Sequence, residues 1–290
     1  TPTLILFRRQ RQMCIRDSMG VVFLYLLFPA ETLRAYIEAQ IQQNAPEVAV
    51  EIGQVSATFP PGLKLANILC EYQELPVATA DRATVRPALL KLLGSEKVVN
   101  FDIDTSEGQI DGRGIMRTGK QTVFSVEADV DRVALQEIAG LRAIPDYIIS
   151  GLLSGKIDYK ATPGRSGSGN ADLSVADAKV ELINPMFGIE SVSFPSIEAQ
   201  LNLSPRRLQL RRCNLKGNEV DGNISGSVML RTPMGQSRLN LSGVLRPHAD
   251  FMAKLQTSVP VALLGGKNLG QKGLPFRITG TIDKPGFSLR

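Results

Sequence analysis

His248 is the only histidine in the chain, and it sets the first bound on chemistry. It follows Pro247 in a segment that reads as a loop, so neither a Ser-His-Asp relay nor a histidine-bearing zinc site finds local partners there. Gly112-Arg113-Gly114 begins like a dinucleotide-binding loop, but Arg117 stands where the third glycine belongs, and a strand rather than a helix follows. Gly266-Lys267 lacks both the upstream glycine and the following Ser or Thr of a phosphate loop. Asp102 and Asp104 alternate with Phe101 and Ile103, which puts the carboxylates on the wet side of a strand. A hydrolase or glycosidase would instead need two of Asp102, Asp104, Asp111 and Asp158 to converge in a pocket. The sequons at Asn202, Asn223 and Asn240 fall out of the same polar and apolar alternation. The expectation is a protein that is not an enzyme, with no catalytic residues, no cofactor and no metal ligands.

Cys70 and Cys213 are far apart and lack C-x-x-C spacing, so metal and thioredoxin-type chemistry are disfavoured. Two buried thiols and a long-range disulfide both remain open. The densest positive spots are Arg206-Arg207 and Arg211-Arg212. In a strand, Arg207 and Arg211 share a face with Gln209, which reads as a solvated sheet surface. The formal charge of +5 falls to +2 without residues 1–18, which carry Arg8, Arg9, Arg11, Arg16 and Asp17. That balance gives no electrostatic case for a nucleic-acid partner.

The elements that would position these groups are strands. With 290 residues, 43% hydrophobic and 21% charged, the chain is long enough for a real core. In TVFSVEADV, Phe124, Val126, Ala128 and Val130 face one way and Ser125, Glu127 and Asp129 the other. The same period runs through GKIDYKA (Ile157, Tyr159), SIEAQLNL (Ile197, Leu201, Leu203) and FRITGTID (Phe276, Ile278). Such half-wet strands are antiparallel in type, since doubly buried parallel strands read as continuous apolar runs. Turn chemistry recurs at spacings near ten residues: Glu107-Gly108, Arg117-Thr118-Gly119, Pro163-Gly164, Asn184-Pro185, Gly217-Asn218, Pro233-Met234-Gly235 and Lys284-Pro285-Gly286. This spacing predicts a long meander of hairpins. The run GRSGSGN at 164–170 fits a linker or a hairpin tip, and matching alternation on both sides favours the tip. Gly226, Gly243 and Gly280 fall where a strand bends or a bulky side chain is unwanted. Two helical interruptions are predicted: ALLKLLG after Pro87, closed by Gly94, and 131–153, where Leu135, Ile138, Ala139 and Leu141 recur at helical spacing up to Pro145.

The N-terminal region reads as three pieces. MCIRDS, residues 13–18, resembles the translation of a transposon-end sequencing adapter, so residues 1–18 are expected to be a non-native segment; an ordinary basic leader is the alternative. The apolar block from Met19 to Ala30, with Val21, Val22, Phe23, Leu24, Tyr25, Leu26, Leu27 and Phe28, reads as a truncated membrane anchor. As a helix its roughly 12 residues reach about 18 Å, against the ~30 Å of hydrocarbon that a spanning helix crosses. Residues 31–44 carry Leu33, Tyr36, Ile37 and Ile41 on one face, an amphipathic helix ended by Pro46. Residues 19–45 thus form anchor and helix, and 46–290 a mainly β body.

The order anchor, helix, VAVEIGQVSATFPPGLKLANILC and VATADRATVRPALLKLLGSEKVVNFDIDTSEGQIDG resembles the N-terminal unit of AsmA-like and TamB-like envelope proteins. The tail LPFRITGTIDKPGFSLR is similar to their closing "F-x-I-x-G-T-x-D-x-P-x-F" strands. Length, single anchor and this ending look most like the type II secretion system protein N family, in its deltaproteobacterial form. The likeness covers about residues 21–290. It implies an inner-membrane anchor, a periplasmic body of long, strongly curved antiparallel sheet with an apolar groove, and a role in secretion or envelope lipid traffic. The leading expectation is a component of the type II secretion system that works through contacts with other secretion components. The runner-up is a groove that shields phospholipid acyl chains, its lining including Phe124, Val126, Val130, Ile157, Tyr159, Ile197, Leu201, Leu203, Phe276 and Ile278. The resemblance carries over no catalytic residues.

Overall fold

A computed structural model describes residues 28–44, 48–72, 75–91, 94–119, 122–138, 141, 147–162, 165–186, 189–249, 251 and 273–289. One helix, α1 (Ala30–Asn44), precedes fourteen strands. These are β1 (Val48–Thr58), β2 (Gly62–Tyr72), β3 (Leu75–Pro87), β4 (Glu96–Asp104), β5 (Gln109–Arg117), β6 (Val123–Ala134) and β7 (Tyr147–Thr162). They continue as β8 (Arg165–Met186), β9 (Ile189–Ser204), β10 (Arg207–Lys216), β11 (Val220–Met229), β12 (Arg238–Pro247), β13 (Leu274–Thr281) and β14 (Pro285–Leu289). All fourteen lie in one antiparallel sheet in strict sequence order. The meander read from the turn spacing is the topology of the chain. The sheet is open, with β1 and β14 as its two edges.

Alternation explains the faces, and bulges explain where it slips. Ile52 and Val55, Val130 and Val133, Val175 and Ala178, and Leu210 and Cys213 are each three residues apart, with two exposed residues between. Pairing shifts by a residue after Val130 and again after Leu210. Arg132 (φ 51°) and Asp177 (φ 51°) supply the left-handed residue at two bulges, whereas at the Ile52–Val55 slip both strands step by three without a shift of register and Asn67 (φ 53°) lies opposite Gly53. A bulge adds one residue to a strand and lets an apolar side chain return to its own face three positions later.

Strand at both ends corrects the helix predicted over 131–153. Residues 131–134 finish β6, Leu135–Glu137 form a single 3-10 turn, and 147–153 open β7; Ala139 and residues 142–146 lie outside the described residues. The spacing of Leu135, Ile138 and Leu141 read as helical is that of two tight turns, in which the Ile138 N–H donates to Leu135 O at 3.1 Å and the Leu141 N–H to Ile138 O at 2.9 Å. Of the apolar helix predicted after Pro87, Leu89–Lys91 form a 3-10 turn and residues 92–93 lie outside the described residues, while the Gly94 N–H donates to Lys91 O at 3.2 Å. Asn184-Pro185 is not a turn but the end of β8. Of the GRSGSGN run, residues 165–170 are strand, and Thr162 pairs with Arg165 across the hairpin whose turn, 163–164, lies outside the described residues.

Helix α1 is placed by the edge of the sheet. Glu38 Oε1 accepts the backbone N–H of Ile52 at 3.0 Å, and Arg34 donates to Gly53 O at 3.5 Å. Unpaired edge groups of β1 are thereby occupied, which blunts its capacity to recruit another strand. Tyr36, expected on the apolar stripe, is instead 60% exposed, because the stripe facing β1 is Arg34, Ile37, Glu38 and Ile41.

Candidate functional site: an apolar face and a corner cavity

Directly opposed residues in an antiparallel pair project to the same face, so the register can be followed across the whole sheet. One row runs from Val55 through Leu65, Ala83, Ile103, Ile110, Val130, Gly155, Leu173, Ala199, Cys213, Ile224, Gly243 and Phe276 to Leu289. It crosses every strand without meeting a polar side chain. A second row two residues along is equally unbroken, from Ala57 through Val85, Phe101, Ala128, Ile157, Leu201, Leu210, Leu241 and Ile278 to Phe287.

The ten residues named from alternation lie on this one face. Val130 and Phe276 are in the first row and Ile157, Leu201 and Ile278 in the second. Val126, Tyr159 and Leu203 share a third, Phe124 stands two residues beyond Val126, and Ile197 stands two residues before Ala199. The face is only partly covered: Val130 and Phe276 are buried, while Ile157 is 36% and Phe124 41% exposed. Two glycines of the face make room for rings. Phe101 lies across Gly112, and Phe276 lies across Gly243 while stacking on Phe287 at 5.6 Å.

The opposite face carries the charge. Arg86, Asn100, Arg113, Glu127, Asp158, Asn170, Asn202, Gln209, Ser227, Asn240 and Thr279 form a polar row. Within it Arg113 bonds Glu127 at 2.7 Å and Asn202 donates to Asn170 at 2.8 Å. Arg207, Gln209 and Arg211 are exposed here, as the strand reading required. The four aspartates considered for hydrolysis are all on this face. Asp102 pairs with Arg86 at 3.0 Å, Asp104 with Arg82 at 3.7 Å, and Asp111 accepts from Gln109 at 2.8 Å. Asp102 and Asp111 are cross-strand neighbours, and Asp158 stands opposite Glu127. Among the described residues no group of three or more His, Cys, Asp or Glu is arranged to hold a metal ion.

His248 does have a partner that local reading missed. Its Nε2 lies 3.0 Å from Asp221 Oδ2 and its Nδ1 3.0 Å from Asn218 O, while Asp221 Oδ1 accepts the Gly217 N–H at 3.1 Å. The His248 contact and then the Gly217 N–H hold the Asp221 carboxyl below the usual carboxylate range. Both ring nitrogens face oxygen acceptors, which leaves neither to activate a nucleophile. The signal was the hairpin register: Asp221 pairs with Arg246, two residues before His248.

Cys70 and Cys213 are free thiols. Burial, and for Cys70 then the neighbouring Glu71 carboxylate, pushes each above the ordinary thiol range. Cys70 belongs to a cavity of about 370 Å³ lined by Val48, Cys70, Tyr72, Leu230, Arg231, Met234 and Ser237. Its walls come from β1 and β2 on one side and from the β11–β12 connection on the other. Of the anchor residues, Val21, Val22, Phe23, Leu24, Tyr25, Leu26 and Leu27 lie outside the described residues, and Phe28 begins them, half-buried. Among the described residues no helix is long and apolar enough to cross a membrane. No family model, no curated protein and no solved structure matches the chain.

Proposed function

We propose that the protein is a non-enzymatic, inner-membrane-anchored envelope component whose periplasmic β body shelters acyl chains along a curved apolar groove. The observation that carries this reading is the pair of apolar rows that cross all fourteen strands while staying partly exposed. An apolar face of this extent needs an occupant, and each CH₂ placed on it contributes roughly 0.8 kcal/mol. Groove curvature is supported by the corner cavity. Ten strand steps of ~4.8 Å would hold β1 and β11 about 48 Å apart in a flat sheet, yet the start of β1 and the end of β11 share one cavity. Twist of roughly 20–25° per step turns β11 by about 200–250° relative to β1 without shortening that span, so the sheet must also coil for the two ends to meet.

The resemblance to type II secretion system protein N supports a second reading, in which this body works through contacts with other secretion components. One feature favours that second reading independently. The edge strand β14 is exposed along its whole length, which suits it to strand addition by a partner.

The test is native mass spectrometry and lipid extraction of the full chain purified from membranes. Phospholipid or fatty acid bound at defined stoichiometry is the expected result. A lipid-free protein that also fails to enhance the emission of an apolar dye would overturn the groove reading. For the secretion reading, pull-down from cells expressing a complete secretion operon should recover a secretion component, and recovery of none overturns it.

A further inference from the structure

The corner cavity joins the apolar face to a charge. The face continues from Ile52 and Ile68 through the opposed pairs Val50–Cys70 and Val48–Tyr72 and runs into this cavity. Leu230 and Met234 close it from the β11–β12 connection, and Arg231 is the only ionised residue in its wall. The guanidinium of Arg231 has no partner among the described residues. Its main chain, by contrast, is fixed. Ser237 is fully buried, and its Oγ accepts the Arg231 N–H at 3.0 Å. The Leu230 N–H donates to Arg206 O at 2.9 Å, and the Ile282 N–H to Ser237 O at 3.1 Å, which ties the wall to the next hairpin. Asp283, the nearest acid on that hairpin, lies against Gly235 and forms no ion pair with Arg231.

We infer that this cavity receives the charged end of a single-chain anionic amphiphile, an acyl chain ending in carboxylate or phosphate, with Arg231 reading the charge. The inference rests on the acyl-chain reading of the apolar face and adds to it a polarity: tail along the rows, anion at the β1–β11 corner. An apolar wall bearing a single cation complements an apolar body bearing a single anion. A volume of about 370 Å³ falls within the roughly 300–1,000 Å³ of small-ligand sites. An arginine here keeps its head in water while its stem lies on the apolar wall, so the charge is presented without a desolvation cost. Carboxylate and phosphate both suit the guanidinium fork.

Cys70 supplies a native reporter inside the wall. The full chain in amphipol is alkylated with iodoacetamide at alkaline pH, and modification of Cys70 is followed by peptide mass, apart from Cys14 and Cys213. The probes are dodecanoate, dodecyl phosphate and dodecanol, each below its aggregation threshold. An anionic probe at ten times its Kd should slow Cys70 alkylation about elevenfold. Dodecanol should bind more weakly. Arg231→Gln should reduce the affinity of both anionic probes about two- to fivefold and leave dodecanol unchanged, whereas Arg231→Lys should keep the preference. Stronger protection by dodecanoate than by dodecyl phosphate points to a fatty acid, and the reverse to a phosphorylated lipid; either preference supports the site. Equal protection by all three probes in the wild type, or a preference that survives Arg231→Gln, overturns the role of Arg231 and leaves the acyl-chain reading intact. If no probe protects Cys70 although lipid co-purifies, the cavity is the wrong place. If no probe protects it and no lipid co-purifies, both readings fall.

Discussion

Cutting Leu201 to alanine asks whether the apolar face is open in solution. Leu201 stands mid-row between Ala171 and Leu210 and is half-buried. In a closed core the same change costs about 2–5 kcal/mol, because the lost methyl groups forfeit transfer energy and leave a cavity. On an open face water takes the vacated volume, so only the transfer part remains, and only for the buried fraction. Full burial of a leucine side chain is worth roughly 1.5–3 kcal/mol, so half burial puts the expected cost near 1 kcal/mol. Phe276 provides the contrast within the same protein. It is 4% exposed, lies across Gly243 and stacks on Phe287, so Phe276→Ala should cost about 3–4 kcal/mol. The assay is urea unfolding of the delipidated chain, with far-UV circular dichroism and tyrosine fluorescence required to coincide. At a slope of about 3 kcal/mol/M, the midpoint should fall by about 0.3 M for Leu201→Ala and by about 1 M or more for Phe276→Ala. A cost of 3 kcal/mol or more at Leu201, matching Phe276, would mean that the face is covered without lipid and would refute the reasoning.

The Asp221–His248 contact gives a pH-dependent prediction. Because the folded-state pKa of Asp221 is lowered, its contribution is present above the ordinary value of 3.8 and is lost as pH falls through the folded value. Asp221→Asn should therefore destabilise at pH 7 by no more than about 1 kcal/mol, since the paired side chains are 42% and 46% exposed. Its gap from wild type should close below about pH 4, and a gap that persists unchanged at pH 2 rules the linkage out. At the sheet edge, Glu38→Ala removes the acceptor of the Ile52 N–H, so that amide should exchange with solvent faster and the protein should self-associate with concentration. Unchanged exchange at Ile52 would show that α1 does not guard β1.

Fold class was legible because alternation is a local signal: Phe124, Val126 and Val130 report their face whatever lies opposite. The pairing of consecutive strands followed from turn residues spaced near ten. What local reading missed are consequences of register. The bulge at 131–132 sets Val130 and Val133 three apart, which breaks the alternation of β6 just where the helix was read to begin. Asp221 and His248 are 27 residues apart, and the cavity joins residues 48–72 to residues 230–237, so neither has a local signature. The bulges also explain how apolar rows survive across fourteen strands. Leu210 and Cys213, three apart on β10, face Leu201 and Ala199, two apart on β9. The extra residue of β10 is absorbed between them, with Arg211 and Arg212 both turned to solvent. Strict alternation over the same residues would have set one of those arginines beside Leu201 or Ala199, where burial of an unpaired charge is costly. The slips in alternation that obscured the sequence pattern are therefore what keeps the face continuous, and a long apolar surface is maintained by local departures from strand regularity.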